Sequence, residues 1–487
     1  MEIDLRGKMM TYLIGFDIGT QGSKAILTDI DGNVYAKKQM NHEIQMLKPG
    51  YQEEDMNLWW YEFKDAIREF LSSTEVKAEE IKAIGITGLV PGLCLIDNNG
   101  NSIRNAILHT DVRAVKELEY INNTQNISIS HGCLLPKLIW IKNNEPENYN
   151  KIYKVMVPHG YIAYKLTGTS TMDYDTATVV GGIFDEKKLK WKDERIELFE
   201  MGKDIFPELC PSNRVIGKVS DEVAKETGLS VNTKVIAGTG DTFASMLGGG
   251  AYEKKHLMIY LGTSTTIIYA DGSPENYIDL PHFSDGRGNF VGRILSFGES
   301  VSHLKNILRY DGWDELDKSL GEEIPAGAEG LYYIPHYKQQ IQKSFFGLDA
   351  EYILGLRGNH NQFHLYKALI EGIAYNIKSN ISGFHKEINQ INIFGGGADS
   401  MEICKIIADI LGRAVRFSEK KSTVLGIAFL AGYGSGEIKD FSCLRNKWYN
   451  DDITILPNEG NVVLYNSLYL KYEKIKANLY ALDAQLN

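Results

Sequence analysis

Cysteine is scarce in this chain of 487 residues: five, at Cys94, Cys133, Cys210, Cys404 and Cys443. They are scattered, odd in number and in no ligand-like spacing. That excludes a disulfide framework and a zinc site, and makes reduced, mostly buried thiols in a cytoplasmic compartment the expectation. Long apolar runs are missing too, so no stretch qualifies as a bilayer span. Residues 1–10 are charged, have no signal-peptide core, and read as a short disordered extension. Positive charge is in deficit. Against 63 acidic residues stand 52 basic ones, a net charge of -11, which gives no electrostatic reason to expect nucleic acid or an anionic membrane as partner. P-loop and Rossmann fingerprints, a serine-nucleophile elbow and basic-aromatic grooves are all absent.

What is there is a pair of similar turns about half a chain apart. Tyr12 to Phe16 is apolar, Asp17-Ile18-Gly19-Thr20-Gln21-Gly22-Ser23-Lys24 is polar and glycine-bearing, and Ala25 to Leu27 is apolar again. Asp31-Gly32 then supplies a tight turn. The reading is strand, polar loop, strand. Two glycines and two hydroxyls leave backbone N–H groups able to face a polyphosphate. An acid at the mouth of such a loop would repel phosphate unless a cation intervened, so Asp17 points to Mg²⁺, held through water. A plain hairpin with a polar bend is the bland alternative. The pattern returns at Met258 to Leu261, Gly262-Thr263-Ser264-Thr265 and Thr266 to Ala270, with a turn at Asp271-Gly272. Length and repetition together predict two large α/β domains of duplicated architecture. Only the first copy has the acid; the second has Tyr260.

Between the copies, Asp55 to Leu71 is predicted as a helix with an aromatic face, and Ile81 to Thr87 as a strand. His109-Thr110-Asp111-Val112-Arg113 puts an acid and a base at a strand-to-helix junction, where α/β proteins bind ligands. A helix cap and a surface ion pair explain Asp111 and Arg113 equally well. Asp173 to Ala177 is a polar loop that could read sugar hydroxyls or cap a helix. Trp191 to Gly228 reads as mostly helical.

The strand Lys234 to Ala237 runs into Gly238-Thr239-Gly240-Asp241-Thr242 and a helix of small residues. Glycines flanking a carboxylate at a strand end allow close approach of another group. Asp241 is then either a helix N-cap or a general base; beside two phosphate-type loops the base is favoured. Farther on, Ile391 to Phe394 enters Gly395-Gly396-Gly397-Ala398-Asp399-Ser400. This loop permits flat approach of a purine, and a helix over 401–411 follows it.

In this order and spacing, Gly15 to Thr20, Gly238 to Asp241, Leu261 to Ser264 and Phe394 to Ala398 resemble the FGGY carbohydrate kinases, most closely their xylulokinase-like branch. The resemblance covers nearly the whole chain. It implies an α/β, actin-like (ribonuclease H-like) fold, with domains over 1–245 and 246–487 around a deep cleft. It also implies an ATP- and Mg²⁺-dependent kinase of a small sugar, and suggests a homodimer. Carried over by residue, it places Asp17 near Mg²⁺, with Thr20, Gln21 and Lys24 facing the phosphates from the first hairpin. Gly262 and Thr263 would face them from the second. Gly396, Gly397, Ala398 and Ser400 would line the adenosine site, and Asp241 would be the base. Thr87, Val90, Pro91, Asp111, Arg113 and Thr242 would stand near the sugar. One segment departs from the branch: Leu89-Val90-Pro91-Gly92 stands where a glutamine-methionine-histidine-glycine run is usual. The polar sugar contact expected at Pro91 is absent, so D-xylulose is the first candidate and ribulose, glycerol or gluconate stay open. An ATP-gated binding or assembly protein on the same fold is the rival class.

Overall fold

Alternating apolar residues at 12–18 make one strand of this chain a two-faced spacer, and the first half is built around it. The computed structural model describes residues 10–124, 127–250, 253, 255–262, 265–270, 288–294, 297–310, 312–321, 323–335, 350–418, 421–450 and 452–486. Thr263, Ser264 and the turn Asp271-Gly272 lie outside them, as do residues 1–9 of the expected extension. The chain forms two compact units. The first is Met1–Gly248 with Ser422–Asn450 added; the second is made of Gly249–Gly272, Gly288–Lys421 and Asp451–Asn487, with Ser273–Arg287 assigned to the first.

In the first unit, strands β1 (Tyr12–Gly19), β2 (Gly22–Asp29), β3 (Val34–Asn41), β4 (Ile81–Gly88), β5 (Val215–Lys218), β6 (Lys234–Ile236) and β7 (Thr239–Gly240) make one sheet. Its order is β5-β6-β4-β1-β2-β3, with β7 also on β4. β1–β2 and β2–β3 are antiparallel, and β1–β4 and β4–β6 parallel. One face carries Tyr12, Ile14, Phe16 and Ile18. They pack on the helix Met56–Ser73, where Phe16 meets Phe63 edge-on with ring centroids 5.2 Å apart. Asp55 caps that helix, accepting from the Asn57 N–H.

The other face is covered by a helix that returns from far along the chain, Thr423–Ser435. It lies so close that a Cβ on Gly15 would stand 2.3 Å from the Val424 carbonyl oxygen, and one on Gly85 2.5 Å from that of Ile427. Gly15 and Gly85 are register partners. Asp17 and Thr87 are the next residues on that face, two positions toward the strand ends.

The second unit repeats the plan. Strands β8 (His256–Leu261), β9 (Thr265–Ala270), β10 (Gly288–Ile294), β11 (Gln390–Phe394), β12 (Val415–Phe417) and β13 (Ile453–Ile455) run in the order β10-β9-β8-β11-β12-β13. The senses are again antiparallel, antiparallel, parallel, parallel, with an antiparallel strand at the edge. That is the α/β, actin-like architecture expected. Within it, Glu371 on the helix Gln362–Ser382 is buried, accepting from the Gly327 N–H and the Tyr465 hydroxyl, both at 2.8 Å; burial pushes its carboxyl up to about 7.

One segment differs from expectation. Residues 191–228 are not mostly helical. They hold only short helices, Asp193–Leu198 and Asp221–Thr227, a 3-10 turn at Lys203–Ile205, two strands and the end of a third, Lys190–Trp191. Glu208–Cys210 pairs with Thr171–Asp173, and β5 pairs with β6. Those partners lie between 16 and 37 residues away, beyond the reach of a local polarity pattern.

Candidate active site

The first hairpin has a two-residue turn, Thr20-Gln21, closed by the register pair Gly19 and Gly22. Gln21 and Lys24 are exposed and Thr20 is half-buried, so the turn is open to a ligand. Asp17 is the register partner of both Lys24 on β2 and Thr87 on β4, and Thr87 is in turn the partner of Thr239 on β7. Side chains in register point to the same face, so Lys24, Asp17, Thr87 and Thr239 form one row across the strand ends. Asp241 follows two residues later as the first residue of the helix Asp241–Gly248.

Asp17 and Asp241 sense each other. Burial first, and then the negative charge of Asp241, push the Asp17 carboxyl up to about 7, with Lys24 opposing. Asp17 keeps some exposure as a residue, yet its Oδ1 is sealed from solvent and accepts no hydrogen bond; the Thr87 hydroxyl is orphaned in the same way. A sealed carboxylate oxygen beside a second carboxylate is the chemistry a divalent cation relieves. Among the described residues no group of three or more His, Cys, Asp or Glu side chains could hold a metal ion. The two carboxylates fit Mg²⁺, which binds through one or two carboxylates and keeps several waters.

The Asp241 carboxylate Oδ1 accepts from the N–H of Thr242 at 2.7 Å and is partly exposed. The bond is to the very next residue, so the carboxylate is held at the mouth of the helix. Val90 stands against this corner: a Cβ on Gly240 would be 2.6 Å from Val90 Cγ2. Pro91 is buried. Val90 thus presents hydrocarbon at Gly240, the residue before Asp241.

Sequence reasoning missed what lies behind Asp241. Of the two readings open for Asp173, the helix cap is the one the structure bears out. Asp173 ends the strand Thr171–Asp173 and caps the helix Tyr174–Thr178, accepting from the Thr176 N–H at 3.1 Å. Its Oδ2 also accepts from the Thr239 hydroxyl at 2.9 Å, and His159 Nε2 stands 2.9 Å from its Oδ1. Burial works against the charge, but the bonds from His159 and Thr176 outweigh it and hold the carboxyl below its usual range.

Asp111 and Arg113 form a separate cluster. Asp111 accepts from the Gln52 N–H and from Arg113 Nε and Nη2, while Arg113 Nη1 lies 2.8 Å from Glu53. The guanidinium stacks on Tyr51, 4.2 Å from the ring centre. Side-chain exposure is 0% for Asp111 and 1% for Arg113, so this is a buried ion pair and not the surface pair expected as the bland alternative. Lys137, on the helix Leu134–Asn144, donates to the carbonyls of His131, Gly132 and Cys133, and its burial pulls its pKa down to about 8.

In the second unit, Gly262 accepts from the Gly298 N–H at 3.0 Å. Gly395 passes so close to Leu261 that a Cβ would lie 2.6 Å from its carbonyl oxygen, which brings the second hairpin and the triple-glycine loop together. Gly396 is exposed, with nothing within 4 Å of where a Cβ would stand; Gly397 is pressed on Phe297, and Ala398 is buried. Ser400 caps the helix Met401–Leu411, accepting from the Ile403 N–H. A cavity of about 540 Å³ is lined by the far side of that helix and includes Lys367, Lys405 and Asp409, but none of the four loop residues.

The chain matches the family model "FGGY family of carbohydrate kinases" in both parts: the N-terminal domain over residues 12–248 and the C-terminal domain over 257–435. A xylulose kinase of Staphylococcus epidermidis is 30% identical over 97% of this chain and 98% of its own length. Two solved structures from Lactobacillus acidophilus, a ligand-bound xylulose kinase and a gluconate kinase, each superpose with a TM-score of 0.81 at 24% identity, covering 98% of this chain and 100% of theirs. Among the described residues no helix is long and apolar enough to cross a membrane.

Proposed function

The chain belongs to the FGGY family of carbohydrate kinases and is an ATP-dependent sugar kinase, and from that premise we propose that it transfers the γ-phosphate of ATP to a primary hydroxyl of D-xylulose. The observation that supports this reading is the pairing of Asp241 with Asp17 at the strand ends, one carboxylate partly open and the other sealed.

An alcohol is a poor nucleophile at neutral pH, so the enzyme must align it with the γ-phosphorus and take its proton as the bond forms. Asp241 takes that proton. Thr20, Gln21 and Lys24 hold phosphate oxygens, and Gly262 and Thr263 are assigned to phosphate as well. Gly396, Gly397, Ala398 and Ser400 hold adenosine. Asp17 would hold Mg²⁺, which would supply neutralisation of the charge on the phosphate oxygens. Thr87, Val90, Pro91, Asp111, Arg113 and Thr242 shape the sugar site.

A second reading rests on Val90 and Pro91. Hydrocarbon at these positions gives a sugar hydroxyl nothing to pair with, and sites built on hydrogen bonds discriminate strongly by such pairing. Another ketose, a polyol or an aldonate is then the acceptor. The test is ADP release by the purified protein across pentuloses, hexuloses, polyols and aldonates. Release that depends on D-xylulose supports the first reading, and release on another acceptor alone supports the second. Release that no acceptor stimulates would overturn both in favour of an ATP-gated binding or assembly protein.

A further inference from the structure

The turn Thr20-Gln21 is held from behind by one histidine. His42, just past β3, is 8% exposed; its backbone N–H donates to the Gln21 carbonyl at 3.3 Å, and its Nε2 lies 3.0 Å from the Gly19 carbonyl oxygen. Its Nδ1 lies 3.0 Å from Glu62 Oε1, on the helix Met56–Ser73, and its Nε2 lies 3.3 Å from Glu54 Oε2. Both acids are buried, at 4% and 2% exposure. Each has one further partner: Ser23 donates to Glu62 at 2.6 Å, and Trp59 Nε1 to Glu54 at 3.0 Å. Burial works against charging the ring, but the two acids outweigh it and push the pKa up to about 10. An imidazolium donates from both nitrogens, so one N–H is directed at Glu62 and the other at the Gly19 carbonyl and Glu54.

Fixing that carbonyl has a consequence on the far side of the peptide. A trans peptide is planar, with its C=O and N–H pointing in opposite directions. With the Gly19 oxygen drawn toward His42, the Thr20 N–H points away from the buried acids and out of the turn. We propose that His42 is a positioning residue for nucleotide: clamped by Glu54 and Glu62, it aims the Thr20 N–H at a phosphate oxygen. This rests on the reading of the first hairpin as a phosphate site. His42 touches neither substrate nor metal and acts through the Gly19-Thr20 peptide.

The test compares the parent with His42→Leu and with the triple variant H42L/E54Q/E62Q, in which no buried acid is left without its cation. Calorimetric Kd for Mg·AMPPNP is the readout, with KM for MgATP beside it. Both should rise at least tenfold in either variant, with kcat within threefold and KM for the sugar unchanged. The triple variant should recover the parent's Tm while keeping the weakened nucleotide binding. If it recovers both, the cluster is only structural and the proposal is overturned. If His42→Leu does not fold, the triple variant alone decides. A parent that binds Mg·AMPPNP as its variants do sinks this inference alone. A parent that does not bind it sinks the phosphate-hairpin reading as well.

Discussion

The Thr239 hydroxyl donates to Asp173 Oδ2 at 2.9 Å, joining the strand that leads into Asp241 to a carboxylate 66 residues earlier in the chain. Thr239 is fully buried and Asp173 is 1% exposed, so the bond is shielded from water. Thr239→Val keeps the shape and removes the donor. Asp173 retains the Thr176 N–H and His159, so the fold survives with a loss of about 1 kcal/mol. The strand end is then free to turn Asp241 away from its acceptor. We expect kcat to fall roughly tenfold, since small misplacement of a reacting group is costly, with KM for MgATP unchanged. Denaturant melts and steady-state kinetics measure the two effects; an unchanged kcat would make the bond purely structural.

Asp241→Asn removes the base and leaves the corner's shape. General-base groups contribute about 10²–10⁴-fold, so kcat should fall by that order while Mg·AMPPNP binding stays within threefold. Parent-like turnover would remove Asp241 from the role.

Asp17→Asn keeps the size of the side chain and removes the charge that would attract Mg²⁺. The free Mg²⁺ giving half-maximal rate should rise at least tenfold, with KM for the sugar unaffected. A magnesium titration at fixed ATP checks this, and superimposable curves would refute the role.

The close approach of the returning helix to β1 and β4 predicts the cost of one methyl group. In Gly85→Ala the new Cβ would stand 2.5 Å from the Ile427 carbonyl oxygen, and backbone cannot rotate aside as a side chain can. Overpacking of this kind costs about 1–3 kcal/mol. The thermal midpoint should drop accordingly. Gly168→Ala would address a different effect, because that glycine has φ 74° and nothing within 4 Å of a Cβ.

How much of this was legible in the chain follows from the range of the interactions. Both hairpins, the glycine-flanked Asp241 and the helix Met401–Leu411 are written in adjacent residues, so pattern alone finds them. The His42 cluster is not: its acids lie 12 and 20 residues on, and nothing local marks a histidine between strand and loop as charged and buried. The helix cap at Asp173 was one of two readings of its segment, but its bond to Thr239 was not, because β7 comes 66 residues later. The short strands within 191–228 exist only because distant strands receive them. Asp111 and Arg113 were visible as a pair, but their burial comes from Tyr51 and Glu53, residues with no sequence relation to them.

The buried His42 also sets a pH dependence whose sign is fixed. Its pKa is raised from 6.5 to about 10 by Glu54 and Glu62 acting against burial. Below pH 6.5 folded and unfolded chains both carry the proton, and the cluster's stabilisation is fully present. Between 6.5 and 10 the unfolded chain gives the proton up while the folded chain keeps it, so stability falls as pH rises. One proton sets a ceiling of about 1.4 kcal/mol per pH unit. The triple variant H42L/E54Q/E62Q lacks the group and should lose less stability between pH 7 and 8.5. Denaturant midpoints of both proteins at those two pH values give the comparison. The buried thiols and tyrosines, themselves raised, add a slope of the same sign to both proteins, and it cancels in the comparison. Parallel slopes for parent and variant would show that His42 does not carry its charge through neutral pH.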